Sequence, residues 1–125
     1  MVTKEILLAG AKFDIYIVRE NGVSQVSDFI ESLQAPEIDS KVSQRLDAFR
    51  DHGPSKNTQH FRHEGNGIYA VKTKDVRLYG FFHGKQCFVL AVGFLKNKTG
   101  GRNVERRYCD KAVELRTALD SDREG

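Results

Sequence analysis

Basic residues are concentrated in one part of the sequence, where they could bind phosphate groups. Between Lys56 and Arg107 there are eleven Lys or Arg residues and three acidic residues, although the whole chain has a net charge of only +3. A surface with this excess of positive charge attracts a nucleic-acid backbone, and such binding weakens as the salt concentration rises. The basic residues on or just after predicted strands are Lys72, Lys74, Arg77, Lys96, Lys98, Arg102, Arg106 and Arg107.

Lysine and arginine side chains could also cleave RNA without a metal ion. The ribose 2′-hydroxyl can attack the adjacent phosphorus if a base accepts its proton and a cation stabilises the crowded phosphate. A lysine whose pKa is lowered by neighbouring cations can be that base, and the arginine fork can bind two phosphate oxygens. Tyr79 and Phe81 share a predicted strand face with Arg77, and aromatic rings beside cations can stack on bases. Plain nucleic-acid binding would use the same cluster, so both functions remain open.

Cysteine and histidine spacing gives no indication of a metal site. Cys87 lies in an apolar run and Cys109 in a charged segment, and we interpret both as reduced thiols. His60 and His63 lie close together, but these two side chains alone would not supply enough ligands for zinc. We therefore predict no bound metal.

The length of the chain predicts one compact domain. A chain of 125 residues can bury a hydrophobic core without disulfides or metals. We expect the domain to span residues 1–125, with an ordered core from about residue 11 to residue 119. The first ten residues lack the pattern of a secretory signal, and no apolar run approaches the ~20 residues needed to cross a bilayer. These features predict a cytoplasmic protein without a membrane segment.

The first half of the chain is predicted to form one strand and a helical hairpin. Apolar residues alternate in residues 13–18, which is typical of a strand. Apolar residues then recur at helical spacing in residues 23–33 and again in residues 38–49. Pro36 suits the first turn of the second helix, and Gly53 is placed to end it.

The second half is predicted to form a meander of three strands and a final helix. Residues 68–73, 76–82 and 86–94 are rich in β-forming residues and are joined by short turns. The third run is apolar on both faces, which predicts a central strand that is covered on both sides. Residues 104–119 carry one apolar stripe at helical spacing. The predicted order is β-α-α-β-β-β-α, an α+β fold.

The ordered motifs of this half resemble the RelE/HigB-like toxins of bacterial type II toxin–antitoxin systems. In that family an apolar strand ends in a basic residue, an Arg-aromatic strand follows, and a third strand leads to a Gly-Phe pair and a Lys-x-Lys loop. The resemblance extends from about Phe13 to Leu119. The matching residues are Gly67, Ile68, Tyr69, Lys72, Arg77, Tyr79, Gly93, Phe94, Lys96, Lys98, Ala112 and Leu115.

The resemblance implies a specific activity and specific roles for these residues. It implies a β-α-α-β-β-β-α toxin domain that cleaves mRNA on the ribosome, stops translation, needs no cofactor and is neutralised by an antitoxin protein. Lys72 would be the base or would stabilise the transition state, and Arg77 would hold the scissile phosphate. The residues expected to bind messenger or ribosomal RNA are Lys74, Lys96, Lys98, Arg102, Arg106 and Arg107.

Two other functions remain open on the sequence. Many members of the family have an acidic residue where this chain has Ala70, and many have arginine where it has Lys72. These differences are compatible with a domain that binds RNA or the ribosome without cleaving it. A third possibility is a protein-interaction module whose basic surface binds an acidic partner.

Overall fold

A computed structural model of the protein describes residues 1–96 and 101–124. Within these residues, six strands form one mixed sheet, and three helices pack against its two faces. The elements are β1 (Val2–Leu8), β2 (Asp14–Glu20), α1 (Gln25–Glu31), α2 (Pro36–His52), β3 (Phe61–Gly65), β4 (Ile68–Lys72), β5 (Val76–Phe82), β6 (Cys87–Leu95) and α3 (Arg102–Glu124).

The sheet has the strand order β1-β2-β6-β5-β4-β3. Strands β2 and β6 are parallel, and all the other neighbouring pairs are antiparallel. Residues Phe88 and Leu90 of β6 pack on the side of α1 and α2, whereas Val89 and Ala91 pack on the side of α3. The predicted central position of this strand, covered on both faces, is therefore confirmed.

The α+β class and the antiparallel meander of β4, β5 and β6 are confirmed, but the predicted order β-α-α-β-β-β-α is wrong by two strands. Strand β1 was missed because only Val2 is buried in it, so its apolar residues do not alternate. It lies before the ordered core predicted for residues 11–119. Strand β3 was left out of the predicted order, in which residues 55–66 form a loop with at most a short strand at residues 60–62, because three of its five residues are exposed and polar. Both lie at the edges of the sheet, where one side of a strand has no neighbour to bury it.

The two helices between β2 and β3 begin and end close to the predicted positions. Ser24 caps α1, since its hydroxyl oxygen accepts a hydrogen bond from the Ser27 backbone N–H at 3.2 Å. Pro36 occupies the first turn of α2, and Gly53 ends that helix with a φ of 85°. A left-handed φ of this size strains most side chains but not glycine.

Two hydrogen bonds of the Gln25 side chain join α1 to the central strand β6. The Gln25 amide donates to the Gly93 carbonyl at 2.8 Å and accepts from the Gly93 N–H at 2.7 Å. A Cβ atom at Gly93 would lie 2.5 Å from the Phe29 ring and 2.9 Å from Leu78. Only glycine therefore fits here, which gives the Gly-Phe pair of the sequence motif a structural reason.

Helix α3 covers the other face of the sheet. Its predicted apolar stripe is confirmed, because Ala112, Leu115 and Leu119 are all buried against the strands. The remaining positions are largely charged. Among the described helices, none combines the length and the apolar character needed to cross a membrane.

Candidate nucleic-acid interface

A polar groove with a volume of about 720 Å³ lies between the sheet and the N-terminal half of α3. Strand β4 ends at this groove and β5 begins there. We call it the basic groove, because six cationic side chains and three carboxylates line it. The cations are Arg62, Lys72, Arg77, Lys96, Arg102 and Arg106, and the carboxylates are Glu64, Glu105 and Asp110.

Lys72 and Arg77 stand opposite each other in the groove wall. They are direct partners in the antiparallel pairing of β4 and β5. The Lys72 amine donates a hydrogen bond to the Thr58 carbonyl at 3.1 Å. Such cross-strand neighbours place their side chains on one face within reach of each other. Two cations on one face can contact the same bound phosphate.

The turn between β4 and β5 fixes the Arg77 guanidinium. Its Nη1 donates to the carbonyl oxygens of Thr73 at 2.5 Å and Val76 at 3.0 Å. Among the described residues, Arg77 forms no ion pair with a carboxylate. Because both bonds use Nη1, the N–H groups on Nε and Nη2 have no partner in the described part of the chain. These two N–H groups are the pair with which arginine can bind two oxygens of one anion.

The pKa of Lys72 is lowered from the ordinary lysine value of 10.5. Partial burial is the largest cause, and the positive charge of Arg77 is the second. Arg62 and Lys96 lower this pKa further, whereas Glu64 raises it. A lower pKa increases the fraction of neutral amine at a given pH, which is the form that can accept a proton.

Arg62 lowers the Lys72 pKa and Glu64 raises it. Replacing either residue with uncharged glutamine should therefore shift the Lys72 pKa, in opposite directions for the two variants. Arg62→Gln should raise the Lys72 pKa and slow acylation of its amine at a fixed pH below that pKa. Glu64→Gln should lower the pKa and speed the same reaction. The measurement is the rate of Lys72 acylation against pH, read by mass spectrometry.

Lys85 provides an internal control for this experiment, because it lies in the exposed β5–β6 turn outside the groove. Its acylation rate should be the same in both variants and in the wild type. If both variants shifted Lys72 in the same direction, the electrostatic account of its pKa would be wrong.

Tyr79 lines the groove, but its ring belongs to the core. The side chain is only 3% exposed, and its ring packs edge-on against Phe94 at a centroid distance of 5.0 Å. Phe81 is completely buried. Neither ring can stack on a base without repacking, so the sequence-based idea of an aromatic platform beside Arg77 is not supported. Burial, Glu64 and Glu105 raise the Tyr79 pKa, so its hydroxyl stays protonated and can donate a hydrogen bond.

No family model matches this chain, and no curated protein matches it. The resemblance to RelE/HigB-like toxins therefore stays a prediction that rests on the quoted motifs. The function has to be argued from the geometry and charge of the groove together with those motifs.

The other predicted RNA-binding residues are divided among different surfaces. Arg102, Arg106 and Lys96 lie in the basic groove, and Lys96 forms an ion pair with Glu105. Lys98 lies outside the described residues. Two residues line other pockets: Lys74 borders a second polar pocket next to the groove, and Arg107 borders an apolar pocket of about 430 Å³ on the other flank of α3.

Several groove residues were not singled out from the sequence. Arg62 and Glu64 come from β3, whose polar sequence gave no strand pattern. Glu105, Cys109 and Asp110 of α3 had a signal that could have been found, because together with the predicted Arg102 and Arg106 they recur every three or four positions on the side that faces the groove. This stripe consists of Arg102, Glu105, Arg106, Cys109 and Asp110.

Both cysteines are free thiols, and one of them lies in the groove. Cys109 lines the groove, and burial is the main cause that raises its thiol pKa, so it stays protonated. Neither Cys87 nor Cys109 forms a disulfide bond. In residues 1–96 and 101–124, no three His, Cys, Asp or Glu side chains are grouped so that they could hold a metal ion.

Proposed function

We propose that this protein binds single-stranded RNA in the basic groove and cleaves the phosphodiester held by Arg77 beside Lys72. The observation that carries this proposal is the direct cross-strand pairing of these two residues. Arg77 presents a fixed fork of donors, and Lys72 has a lowered pKa for which Arg77 is itself a cause. The residue that would bind the phosphate, Arg77, and the residue that would accept the proton, Lys72, therefore lie next to each other in the groove.

The proposed reaction is an attack of the ribose on its own phosphate. The neutral Lys72 amine accepts the proton of the 2′-hydroxyl, and the 2′ oxygen forms a bond with phosphorus. The bond from phosphorus to the 5′ oxygen breaks, which leaves a cyclic phosphate and a 5′-hydroxyl. Arg77 stabilises the charge on the phosphate oxygens during this step. The leaving oxygen takes a proton from a water molecule, and the protonated Tyr79 hydroxyl, which lines the groove, can donate a hydrogen bond to it.

The motif resemblance supports a biological role in which the RNA is mRNA on the ribosome. The protein would then be the toxin of a type II toxin–antitoxin system, acting in the cytoplasm. Its antitoxin would be a protein that covers the basic groove with acidic side chains. We expect such a partner to co-purify with the protein from its native source.

A non-catalytic RNA-binding domain is the second candidate, and one observation favours it. Ala70, which stands where many family members have an acidic residue, is 1% exposed and packs in the core. No carboxylate can therefore assist Lys72 from this position. This candidate keeps the groove and its phosphate contacts but loses the cleavage step.

A cell-free translation reaction with a defined mRNA distinguishes the candidates. After addition of the purified protein, primer extension should show cuts in the translated region that are absent when initiation is blocked. Intact mRNA with salt-sensitive binding of RNA would replace the proposal with the non-catalytic domain. Intact mRNA with no RNA binding even at low salt would leave an acidic protein as the partner of the groove.

A further inference from the structure

A second polar pocket joins the basic groove at the Lys72–Arg77 pair. It has a volume of about 350 Å³, and Lys72 and Arg77 line both cavities. Its other walls come from α2, from the loop after α2 and from the turn between β4 and β5. We call it the distal pocket, and its additional lining residues are Arg45, Gln59, His60, Thr73 and Lys74.

The charged side chains that line the distal pocket are all positive, whereas those of the basic groove are of both signs. Four of its lining side chains are cations, and no carboxylate lines it in the described part of the chain. In the basic groove, by contrast, Glu105 is paired with Lys96, and Glu64 lies 3.8 Å from Arg62. Positive charge is therefore least opposed on the distal side of the Lys72–Arg77 pair, which favours a phosphate group there.

Hydrogen bonds to the backbone fix the walls of the distal pocket. The Asn57 side chain accepts from the Gln59 N–H at 2.9 Å, and the His60 N–H donates to the Asn57 carbonyl at 2.9 Å. The His60 carbonyl in turn accepts from the Lys72 N–H at 2.8 Å. The loop is thereby attached to the end of β4. Binding to such a wall costs little ordering entropy.

Arg45 and Lys74 line the pocket from two different parts of the chain, helix α2 and the β4–β5 turn. The Arg45 Nε donates to the Lys72 carbonyl at 3.2 Å, which ties α2 to the end of β4. Lys74 is exposed in the β4–β5 turn, and its amine has no ion pair or hydrogen bond in the described residues. A phosphate between these two side chains would contact Arg45, which a hydrogen bond holds in place, and Lys74, whose exposed side chain can adjust its position.

We propose that the distal pocket binds the nucleotide next to the one held at the Lys72–Arg77 pair, with its phosphate at Lys74 and Arg45 and its base against Gln59. This inference rests on the proposed function, because it assumes that RNA occupies the groove. The volume of the pocket lies within the roughly 300–1,000 Å³ typical of small-ligand sites. An amide side chain can bond the exposed edge of an unpaired base.

The RNA path then continues past the reactive pair instead of ending there. Nucleotides on one side of the scissile phosphate lie along α3, and the next nucleotide on the other side lies over the β4–β5 turn. The protein therefore holds the chain on both sides of the bond that breaks, which keeps the attacking and leaving oxygens in line.

The test compares two lysine variants that lie in neighbouring turns of the same meander. Lys74→Ala removes a cation of the distal pocket, and Lys85→Ala removes another exposed lysine, from the β5–β6 turn at the other end of β5. The probe is a fluorescent single-stranded oligouridine, and its affinity is measured over a range of salt concentrations. Lys74→Ala should weaken binding several-fold and make the log–log salt slope shallower by about 0.7, whereas Lys85→Ala should change neither.

A third variant separates a nucleotide pocket from a diffuse positive field. Gln59→Ala changes no charge, so it should weaken binding several-fold and leave the salt slope unchanged. The Gln59 backbone bond to Asn57 does not involve the deleted side chain, so the loop should keep its shape. If Gln59→Ala bound as tightly as the wild type, the base contact would be refuted.

The outcomes distinguish this inference from the proposed function. If the wild type binds the oligonucleotide and Lys74→Ala behaves like Lys85→Ala, the distal pocket is not a nucleotide site, although the groove can still be one. If the wild type binds and Lys74→Ala is weaker but no RNA is ever cut, the pocket stands and the cleavage step fails. If the wild type does not bind at low salt, both proposals fail.

Discussion

Replacing Arg77 with alanine should lower the rate of RNA cleavage by on the order of 10²- to 10³-fold, the usual effect of removing one preorganised donor from a developing charge. The affinity for RNA should fall much less, because Lys72, Arg102 and Arg106 still line the groove. In bacteria, induced expression of the wild type should stop growth and bulk translation. Expression of Arg77→Ala should do neither.

Two further variants make this comparison specific to the Arg77 fork. Arg77→Lys keeps the charge but loses the paired donors, so cleavage should stay well below that of the wild type. Arg19→Ala is the matched control, since Arg19 lies on β2 and also donates to a backbone carbonyl, that of Gly22, at 3.3 Å. It should cleave RNA like the wild type.

The Arg77 prediction can fail in two informative ways. Growth arrest by Arg77→Ala as strong as that of the wild type would remove Arg77 from the reactive site. Absence of arrest by the wild type, despite folded and abundant protein, would favour the non-catalytic RNA-binding domain. Arg77 also bonds the carbonyls of Thr73 and Val76, so circular dichroism of the variant must first show that the fold is kept.

Replacing Phe88 with alanine should lower the free energy of unfolding by about 3–5 kcal/mol, which is typical when a buried phenylalanine leaves a cavity. Phe88 is completely buried in the central strand β6. Its ring lies 4.8 Å from the ring of Phe49 on α2 and 5.0 Å from the ring of Phe82 on β5, measured between centroids. The cavity would thus open between the sheet and α2, where close-packed neighbours relax little.

Phe82→Ala is the matched control for the Phe88 variant. The Phe82 ring packs against the Phe88 ring, but 37% of Phe82 is exposed. Removing its ring therefore loses less buried apolar area than removing that of Phe88. The free energies come from urea unfolding followed by circular dichroism. An equal loss of stability in both variants would mean that the packing around Phe88 does not set the stability of the core.

The local sequence was sufficient to predict the elements that bury a regular apolar pattern. Helix α2 follows from Pro36 at its start, Gly53 at its end and apolar residues at helical spacing between them. The central position of β6 follows from an apolar run with no polar face. In such segments, the positions of the apolar residues show directly which face of the helix or strand is buried.

The edge strands could not be predicted in this way. Most residues of β1 and β3 face water, so their strand conformation is stabilised by backbone hydrogen bonds to β2 and β4 and not by an apolar face of their own. The register of β3 against β4 also brings Arg62 and Glu64 to the groove. No local pattern in the sequence carries this information.

The sequence by itself determined which residues are cationic, and it determined that Lys72 and Arg77 flank a tight turn between two strands. Together with the motif resemblance, this predicted a phosphate-binding pair, and the short antiparallel connection does place the two residues opposite each other. Only the tertiary structure decided which other cations join this pair. Arg107 and Arg106 are neighbours in sequence, but they point to opposite flanks of α3, and only Arg106 reaches the groove.

The distal pocket was likewise decided only by the tertiary structure. Arg45 and Lys72 are 27 residues apart in the chain and meet because α2 packs across the end of β4. Packing between distant elements depends on how whole apolar faces fit together, which the spacing of single residues does not reveal. The cationic character of the site was therefore visible in the residue types, whereas its extent depends on the fold.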